Sequence, residues 1–294
     1  MRVLLTGCNG QVGYCLAKKL SDRTDVTLLA LDRKELDITN SNAVKTTVEE
    51  FQPNIVINAA AYTAVDKAEE ELELAYAINR DGPKFLAEAS KEVGAAILHI
   101  STDYVFKGNR KGEYKETDMT GPQGVYGASK LAGEIEVAKA CGKHIILRTA
   151  WVFGEHGNNF VKTMLRLGMT KNALNIVGDQ FGGPTYAGDI ADALIQIATK
   201  ITVGDDIEYG IYHYSGLPHV SWYEFAEAIF DVAVDKNLII PKPTISSIGT
   251  HQYPTPAKRP SNSRLSIEKI SNEFSIEASD WQAALNEIQK YSEK

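Results

Sequence analysis

The run RVLLTGCNGQVG, residues 2–13, decides how the rest of the chain is read. Its opening, RVLLT, is a short, nearly continuous apolar stretch, as a strand covered on both faces would be. It runs straight into Gly7, Gly10 and Gly13, and from there into a segment of helical character, residues 11–21. A dinucleotide needs a tight turn, backbone close to its pyrophosphate, and amide N–H groups at a helix N-terminus. Glycine supplies the first two because it has no Cβ. The spacing is GxxGxxG, and its place at the first strand-to-helix junction is what gives it weight. Gln11 and Val12, between the last two glycines, join Gly7, Gly10 and Gly13 as cofactor-binding candidates.

The pattern repeats outward from this junction. Residues 26–31, 54–60, 95–102 and 144–153 read as further buried strands. Residues 41–51, 66–92 (broken near Gly82-Pro83) and 126–141 read as helices. Repeated βα units predict an α/β fold, a Rossmann-like doubly wound parallel sheet with right-handed crossovers. Beyond about residue 155 the alternation lapses. NNFVKTMLRLG and DIADALIQIAT look helical, IYHYS looks like a strand, and SWYEFAEAIFDVAV is an amphipathic helix. The Pro/Ser/Thr-rich stretch 241–265 suits an ordered substrate loop, since helical segments lie on both sides of it. The expected division is a nucleotide-binding domain over 1–153, rejoined by about 174–200. A smaller mixed α/β substrate part would comprise about 154–173 and 216–294.

Composition narrows the classes. The 294 residues are 44% hydrophobic and 23% charged, with a net charge of −7. That balance argues against broad binding to nucleic acid or anionic membranes. No apolar run reaches the length of a membrane span or of a signal segment. Three cysteines without CxxC spacing read as reduced thiols in a cytoplasmic protein. The six histidines show no metal-ligand spacing, so no metal is expected.

The second strand ends in LALDRKELDIT. An acidic residue here usually holds the adenine ribose hydroxyls, whereas a neighbouring arginine accommodates a 2′-phosphate. Asp32 and Arg33 are adjacent, so the signal is mixed; NADP(H) is preferred and NAD(H) remains possible. Asp37 and Ile38 fall where the adenine would lie. Ala59, Ala60 and Ala61 end the third strand with side chains small enough for a cofactor to lie against backbone.

The fourth strand ends in HISTDYVFKG, and strand C-termini in such a sheet face the ligand crevice. Ser101, Thr102 and Asp103 are thus expected to point toward the cofactor. Twenty-four residues after Thr102, VYGASK sets Tyr126 and Lys130 one helical turn apart. A cation beside a phenol favours the phenolate and brings a pKa of about 10 toward the working range. Alone the pair could be an ordinary surface feature. Beside a phosphate loop, the hydroxyl, phenol and ammonium form a proton-transfer set: Thr102, Tyr126 and Lys130.

This arrangement resembles the extended short-chain dehydrogenase/reductase superfamily, marked by GxxGxxG, a Ser/Thr after the fourth strand, and YxxxK. Within it the chain is similar to the dTDP-4-dehydrorhamnose reductase family. NAAAYTAVDKAE, STDYVFKG, RTAWVFG…GNNF, DQFGGPT and YPTPAKRPSNSRL carry the likeness, which spans residue 7 to about 285. The resemblance implies NADPH-dependent reduction of the C4 ketone of dTDP-4-dehydro-L-rhamnose to dTDP-L-rhamnose, for rhamnose-containing surface polysaccharide. Tyr126 would act as general acid, Lys130 would lower its pKa and hold the nicotinamide ribose, and Thr102 would donate to the carbonyl oxygen. Related dehydratases carry Thr-Asp-Glu where this chain has Thr102-Asp103-Tyr104, which favours simple reduction and leaves Tyr104 a candidate for the wall of the sugar site.

The resemblance also implies a sugar contact for Trp151, while Trp222 and Trp281 sit on amphipathic helices and read as core. Arg259 is the candidate diphosphate ligand because a guanidinium matches phosphate oxygens in pairs; Lys258, Asn159 and Gln180 are weaker polar candidates. Substrate contacts are therefore expected from Thr102, Asp103, Tyr104, Tyr126, Trp151 and Arg259. Some members of the family dimerise through a metal held partly by a carboxylate early in the first helix. Here that place reads QVGYCL, so a monomer or a differently built dimer is expected. Two rivals stay open: a nucleotide-sugar epimerase or dehydratase, and a non-catalytic cofactor-binding subunit.

Overall fold

β1 (Arg2–Thr6) and β2 (Thr27–Leu31) pair in parallel across α1 (Gln11–Ser21), the first of a series of βα units. The chain continues through α2 (Ser41–Phe51), β3 (Ile55–Asn58), α3 (Leu72–Tyr76), α4 (Gly82–Glu92), β4 (Ala96–Thr102), α5 (Val125–Ala140) and β5 (His144–Thr149). These coordinates are a computed structural model that describes residues 1–291. The main sheet has the order β2-β1-β3-β4-β5, closed at its far edge by β10 (Gly210–His213), and every pairing in it is parallel. This is the doubly wound sheet expected from the sequence. The order reverses at β1, which opens the ligand crevice at the C-terminal ends of β1 and β3.

Burial on both faces explains the continuous apolar runs. Val3, Leu5, Ile55, Ile57, Leu98 and Leu147 face one cluster, completed by Leu16 and Leu20 of α1. The intervening Leu4, Val56, Ile97 and Ile146 face the other, against Val44 and Val48 of α2, Leu86 of α4 and Val137 of α5. Successive side chains of a strand point to opposite faces, so each residue has its own core.

After β5 the chain turns sharply at Trp151, whose φ is +50°. The single strand expected over 144–153 is therefore two pieces, β5 and the short β6 (Val152–Phe153). Next come α6 (Phe160–Gly168), β7 (Ala173–Val177), β8 (Phe181–Gly182), β9 (Thr185–Tyr186) and α7 (Ala187–Val203). Past β10 lie β11 (Val220–Ser221), α8 (Trp222–Asp235), β12 (Thr244–Ile248), β13 (Asn262–Ser263), α9 (Glu268–Phe274) and α10 (Trp281–Asn286). Of the segment 174–200, α7 packs its Ile190, Leu194 and Ile197 into the same cluster as α1. β7 instead pairs in parallel with β12. The stretch 241–265, expected as loop, thus contributes two short strands, β12 and β13.

Helix ends follow the local sequence. Asn40 caps α2 and Asn159 caps α6, each accepting a backbone N–H three residues on at 3.1 Å. Ser221 and Glu224 form a reciprocal capping box at α8. The interruption expected near Gly82-Pro83 lies just ahead of it, in a π-helical turn over Ala77–Asp81. Pro83 stands in the first turn of α4, where a missing N–H costs nothing. A separate apolar cluster joins α6, α8 and α10 through Val161, Leu165, Phe225, Ile229 and Trp281. No helix among the described residues is long and apolar enough to cross a membrane.

Candidate active site

At the crevice the glycine turn is packed to backbone contact. Gly7 has φ +75°, and a Cβ there would lie 2.6 Å from the Ala60 nitrogen. A Cβ on Gly13 would lie 2.0 Å from the Gly7 carbonyl oxygen. The turn therefore sits directly on the end of β3. The cap of α1, Gly10, has no side chain to close the first-turn N–H groups, and no acidic residue stands in that turn. An open, uncapped helix end of this kind can receive an anion.

A cavity of about 390 Å³ adjoins it, lined by Gly7, Gly10, Asp32, Arg33, Asp37, Ile38, Ala59, Ala60 and Ala61, with Tyr62 and Thr63 beyond. Nine of the cofactor candidates thus meet in one hollow. Val12 does not; it turns into the core beneath the sheet. Gln11 is held sideways, its Oε1 accepting from Asn159 Nδ2 at 3.0 Å. The Asp32 carboxylate is committed to its own turn: it accepts from the Lys34 and Glu35 amides at 2.7 and 3.1 Å and from Asn9 Nδ2 at 2.9 Å. Hydrogen bonds from Thr39 lower the pKa of Asp37. The Arg33 side chain is exposed at the rim.

Thr102 ends β4, is buried, and accepts the Tyr104 amide at 3.3 Å. Glu69 fixes the start of α5 by accepting the Val125 amide at 2.9 Å. Lys130, one turn into that helix, is buried and donates from Nζ to the Ile100 carbonyl at 2.7 Å. Burial draws its pKa down to about 8, against the opposing charge of Glu134. Tyr126 behaves differently from the sequence expectation. Burial drives its phenol upward, the Thr102 hydroxyl pulls it back only in part, and Asp103 and Tyr104 add to the rise. The ammonium is engaged at the Ile100 carbonyl, so desolvation prevails and the phenol stays protonated. Beneath lies His99, kept neutral by burial and by the Lys130 charge. Its Nδ1 pairs with Asn58 Nδ2 at 3.0 Å.

A second cavity, about 520 Å³, opens between α6, α8, β7 and the chain after β12. Tyr104 lines it and meets the Tyr126 ring edge-on at 5.3 Å, so one wall residue stands between this cavity and the catalytic candidates, none of which lines it. Its lining includes polar Asp66, Gln180, Arg259 and Ser263 and apolar Phe160, Met164, Leu167 and Leu174. Trp151 lines the cavity and stacks on Trp222 with ring centroids 3.5 Å apart. Trp222 is thus a cavity wall rather than the core residue expected, whereas Trp281 is buried. Helical spacing cannot separate a core face from one that walls a cavity.

Arg259 donates from Nη2 to Asp66 at 2.7 Å and from Nη1 to the Tyr104 hydroxyl at 3.0 Å. Lys258 points away, to Gln123 at 3.2 Å. Asn159 stands at the glycine turn and not in this cavity. Asp103 was expected to touch substrate, but its oxygens are taken by Thr102 at 3.1 Å and Ser263 at 2.5 Å. The tight turn after β4 buries it, and burial lifts its pKa to about 6. Sequence reasoning missed Asp66, Phe160 and Ser263. Asp66 lies inside one of the stretches that carried the family likeness, and nothing in its local pattern marked it.

A glycine-turn nucleotide cradle, a Thr/Tyr/Lys set at the sheet's C-terminal edge and a second cavity beside it define an NAD(P)-dependent reductase of the extended short-chain dehydrogenase/reductase superfamily. Comparison with known proteins specifies it further. Residues 1–293 match the RmlD substrate binding domain family. The dTDP-4-dehydrorhamnose reductase of Aggregatibacter actinomycetemcomitans is 54% identical over 292 residues, covering 99% of each chain. A solved dTDP-4-dehydrorhamnose reductase from Clostridium acetobutylicum superposes with a TM-score of 0.89 at 41% identity, covering 98% of each chain. One from Bacillus anthracis, in complex with NADP, gives 0.88 at 40% identity, covering 97% of each. The chain belongs to the dTDP-4-dehydrorhamnose reductase (RmlD) family.

Proposed function

We propose that the protein reduces the C4 ketone of dTDP-4-dehydro-L-rhamnose to dTDP-L-rhamnose, with NADPH preferred over NADH. The observation that carries this reading is the Tyr104–Tyr126 contact, which sets a wall residue of the larger cavity against the phenol ring of the Thr/Tyr/Lys set. The full-length likeness to dTDP-4-dehydrorhamnose reductases supports the substrate.

The cradle fits a dinucleotide: a Cβ at Gly7 or Gly13 would strike neighbouring backbone and force the turn open, and the uncapped end of α1 offers N–H groups to a pyrophosphate. Gly7, Gly10 and the alanines after β3 would hold the cofactor, and Arg33 would meet a 2′-phosphate while Asp32 stays tied to its turn. When bound, the reduced nicotinamide supplies the hydride. The chain's own part is alignment and proton delivery. The Thr102 hydroxyl, turned from Asp103 Oδ1 when substrate binds, donates to the ketone oxygen where negative charge develops. Tyr126, held protonated by burial, gives its phenolic proton to that oxygen as the C–H bond forms. Lys130 then assists return of a proton to the phenolate. Arg259 binds the diphosphate, and Trp151 with Trp222 covers the apolar side of the sugar.

The test is loss of reduced-nicotinamide absorbance on mixing with dTDP-4-dehydro-L-rhamnose, with NADPH and NADH run side by side and the product identified by mass and sugar analysis. Oxidation yielding dTDP-L-rhamnose, faster with NADPH, is expected. No oxidation with either cofactor, despite measurable cofactor binding, would overturn the reading.

A further inference from the structure

Among the described residues lining the larger cavity, Arg259 is the one cation and Asp66 the one anion, and they are paired. The pairing is specific. Asp66 Oδ2 accepts from Arg259 Nη2 at 2.7 Å, while Oδ1 accepts from the Ala257 amide at 3.1 Å. One carboxylate therefore holds both the guanidinium and the backbone of the segment that carries it. The two residues are 193 positions apart in sequence, so the contact bridges the loop after β3 and the loop after β12. That first loop also lines the smaller cavity through Tyr62, Thr63 and Ala64.

A diphosphate entering this cavity meets a cation already neutralised by a carboxylate, on a protein whose net charge is −7. A guanidinium binds carboxylate and phosphate oxygens through the same donors, so the two anions compete for one face of Arg259. We propose that Asp66 is an internal stand-in for the substrate diphosphate. It orients Arg259 and its loop while the cavity is empty, and the diphosphate displaces it from the guanidinium. This rests on the reading of Arg259 as diphosphate ligand given above. Asp66 is accordingly a positioning residue that tunes affinity: it pre-sets the loop and also opposes the ligand. The pair is partly exposed, with side-chain accessibilities of 26% and 40%, so the opposition is modest and displacement is feasible.

The Asp66→Asn variant separates the two duties, because an amide oxygen can still accept from the Ala257 amide while the charge opposite Arg259 is removed. Binding of dTDP and of UDP is measured by calorimetry on wild type, Asp66→Asn, Asp66→Ala and the exposed control Glu70→Gln. Asp66→Asn should bind both diphosphates about three- to tenfold more tightly than wild type. Its advantage should shrink in high salt and exceed that of Asp66→Ala, which loses the loop latch. Affinity equal to or weaker than wild type overturns the inference, as does an equal gain for Glu70→Gln, which would mark a general charge effect. If neither wild type nor Asp66→Asn binds any nucleoside diphosphate, the sugar-nucleotide reading falls along with this one. Equal binding by both proteins sinks the displacement alone.

Discussion

Lys130 is bonded to Ile100: its ammonium donates to that strand carbonyl at 2.7 Å and anchors the helix bearing Tyr126 to the end of β4. A charge held this way is poorly hydrated, and burial lowers the Lys130 pKa from 10.5 to about 8. Between those values the unfolded chain binds more protons at this site than the folded one, so the group's contribution to stability rises with pH across that window.

At neutral pH the buried ammonium therefore costs the fold on the order of 3 kcal/mol. Lys130→Met should be more stable than wild type at pH 7 and have lost most of its turnover. By pH 10 its stability advantage should have narrowed. Urea midpoints at both pH values test this; an advantage that stays constant from pH 7 to 10 would refute the buried-charge account.

Tyr126→Phe removes the proton donor but leaves the ring against Tyr104. Turnover should fall by about 10²–10⁴-fold, with cofactor affinity kept because the glycine turn and the smaller cavity are untouched. Steady-state rates together with a cofactor titration check it. A variant that retains full turnover would remove Tyr126 from the mechanism.

Gly13→Ala tests the cradle. The added methyl would lie 2.0 Å from the Gly7 carbonyl oxygen, and backbone cannot yield as a flexible side chain would. The turn must open, so cofactor affinity should drop sharply and stability should fall by about 1–3 kcal/mol. Cofactor titration and thermal unfolding read the two effects separately; unchanged values for both would mean that the turn is looser than its packing implies.

The main sheet was legible because strands buried on both faces leave unbroken apolar runs, as Val3, Leu4 and Leu5 do. β7 and β12 were not. Leu174, Asn175 and Ile176 wall a cavity, and the TISSI of β12 is largely open to solvent, so neither strand needs a continuous apolar signature. Tyr126, Lys130 and Thr102 could be placed because local spacing and strand polarity fix them. The Asp66–Arg259 pair could not, since nothing local ties residues so distant in sequence. Nor did the spacing of Tyr126 and Lys130 show that the ammonium would be taken by Ile100.

Cofactor choice should turn on Arg33. Asp32 is spent on Asn9 and on its own turn, whereas the Arg33 guanidinium makes no hydrogen bond among the described residues. Charge-assisted hydrogen bonds contribute about 1.5–3 kcal/mol, so Arg33→Ala should raise KM for NADPH about tenfold or more and change KM for NADH little. Equal effects on both cofactors would argue that Arg33 is a general surface charge.

A buried ion pair keeps α5 in place. Glu134, one turn beyond Lys130, forms a two-point ion pair with Arg148 of β5, at 2.9 and 2.6 Å, with both side chains 2% exposed. Arg148 also lies over the Phe106 ring at 5.0 Å. Removing one partner leaves an uncompensated buried charge, which typically costs about 3–5 kcal/mol, whereas replacing both with apolar residues of similar volume is often neutral. Glu134→Gln should therefore destabilise strongly, and Glu134→Leu combined with Arg148→Met should recover most of the loss. The paired fork also sets the rotation of α5, and the opposing charge of Glu134 props up the Lys130 pKa. The double variant should consequently regain stability without regaining full turnover, and its pH–rate profile should shift to lower pH. Chemical denaturation and pH–rate profiles of the three proteins decide it: recovery of stability together with a wild-type rate profile would make the pair a purely structural fastening.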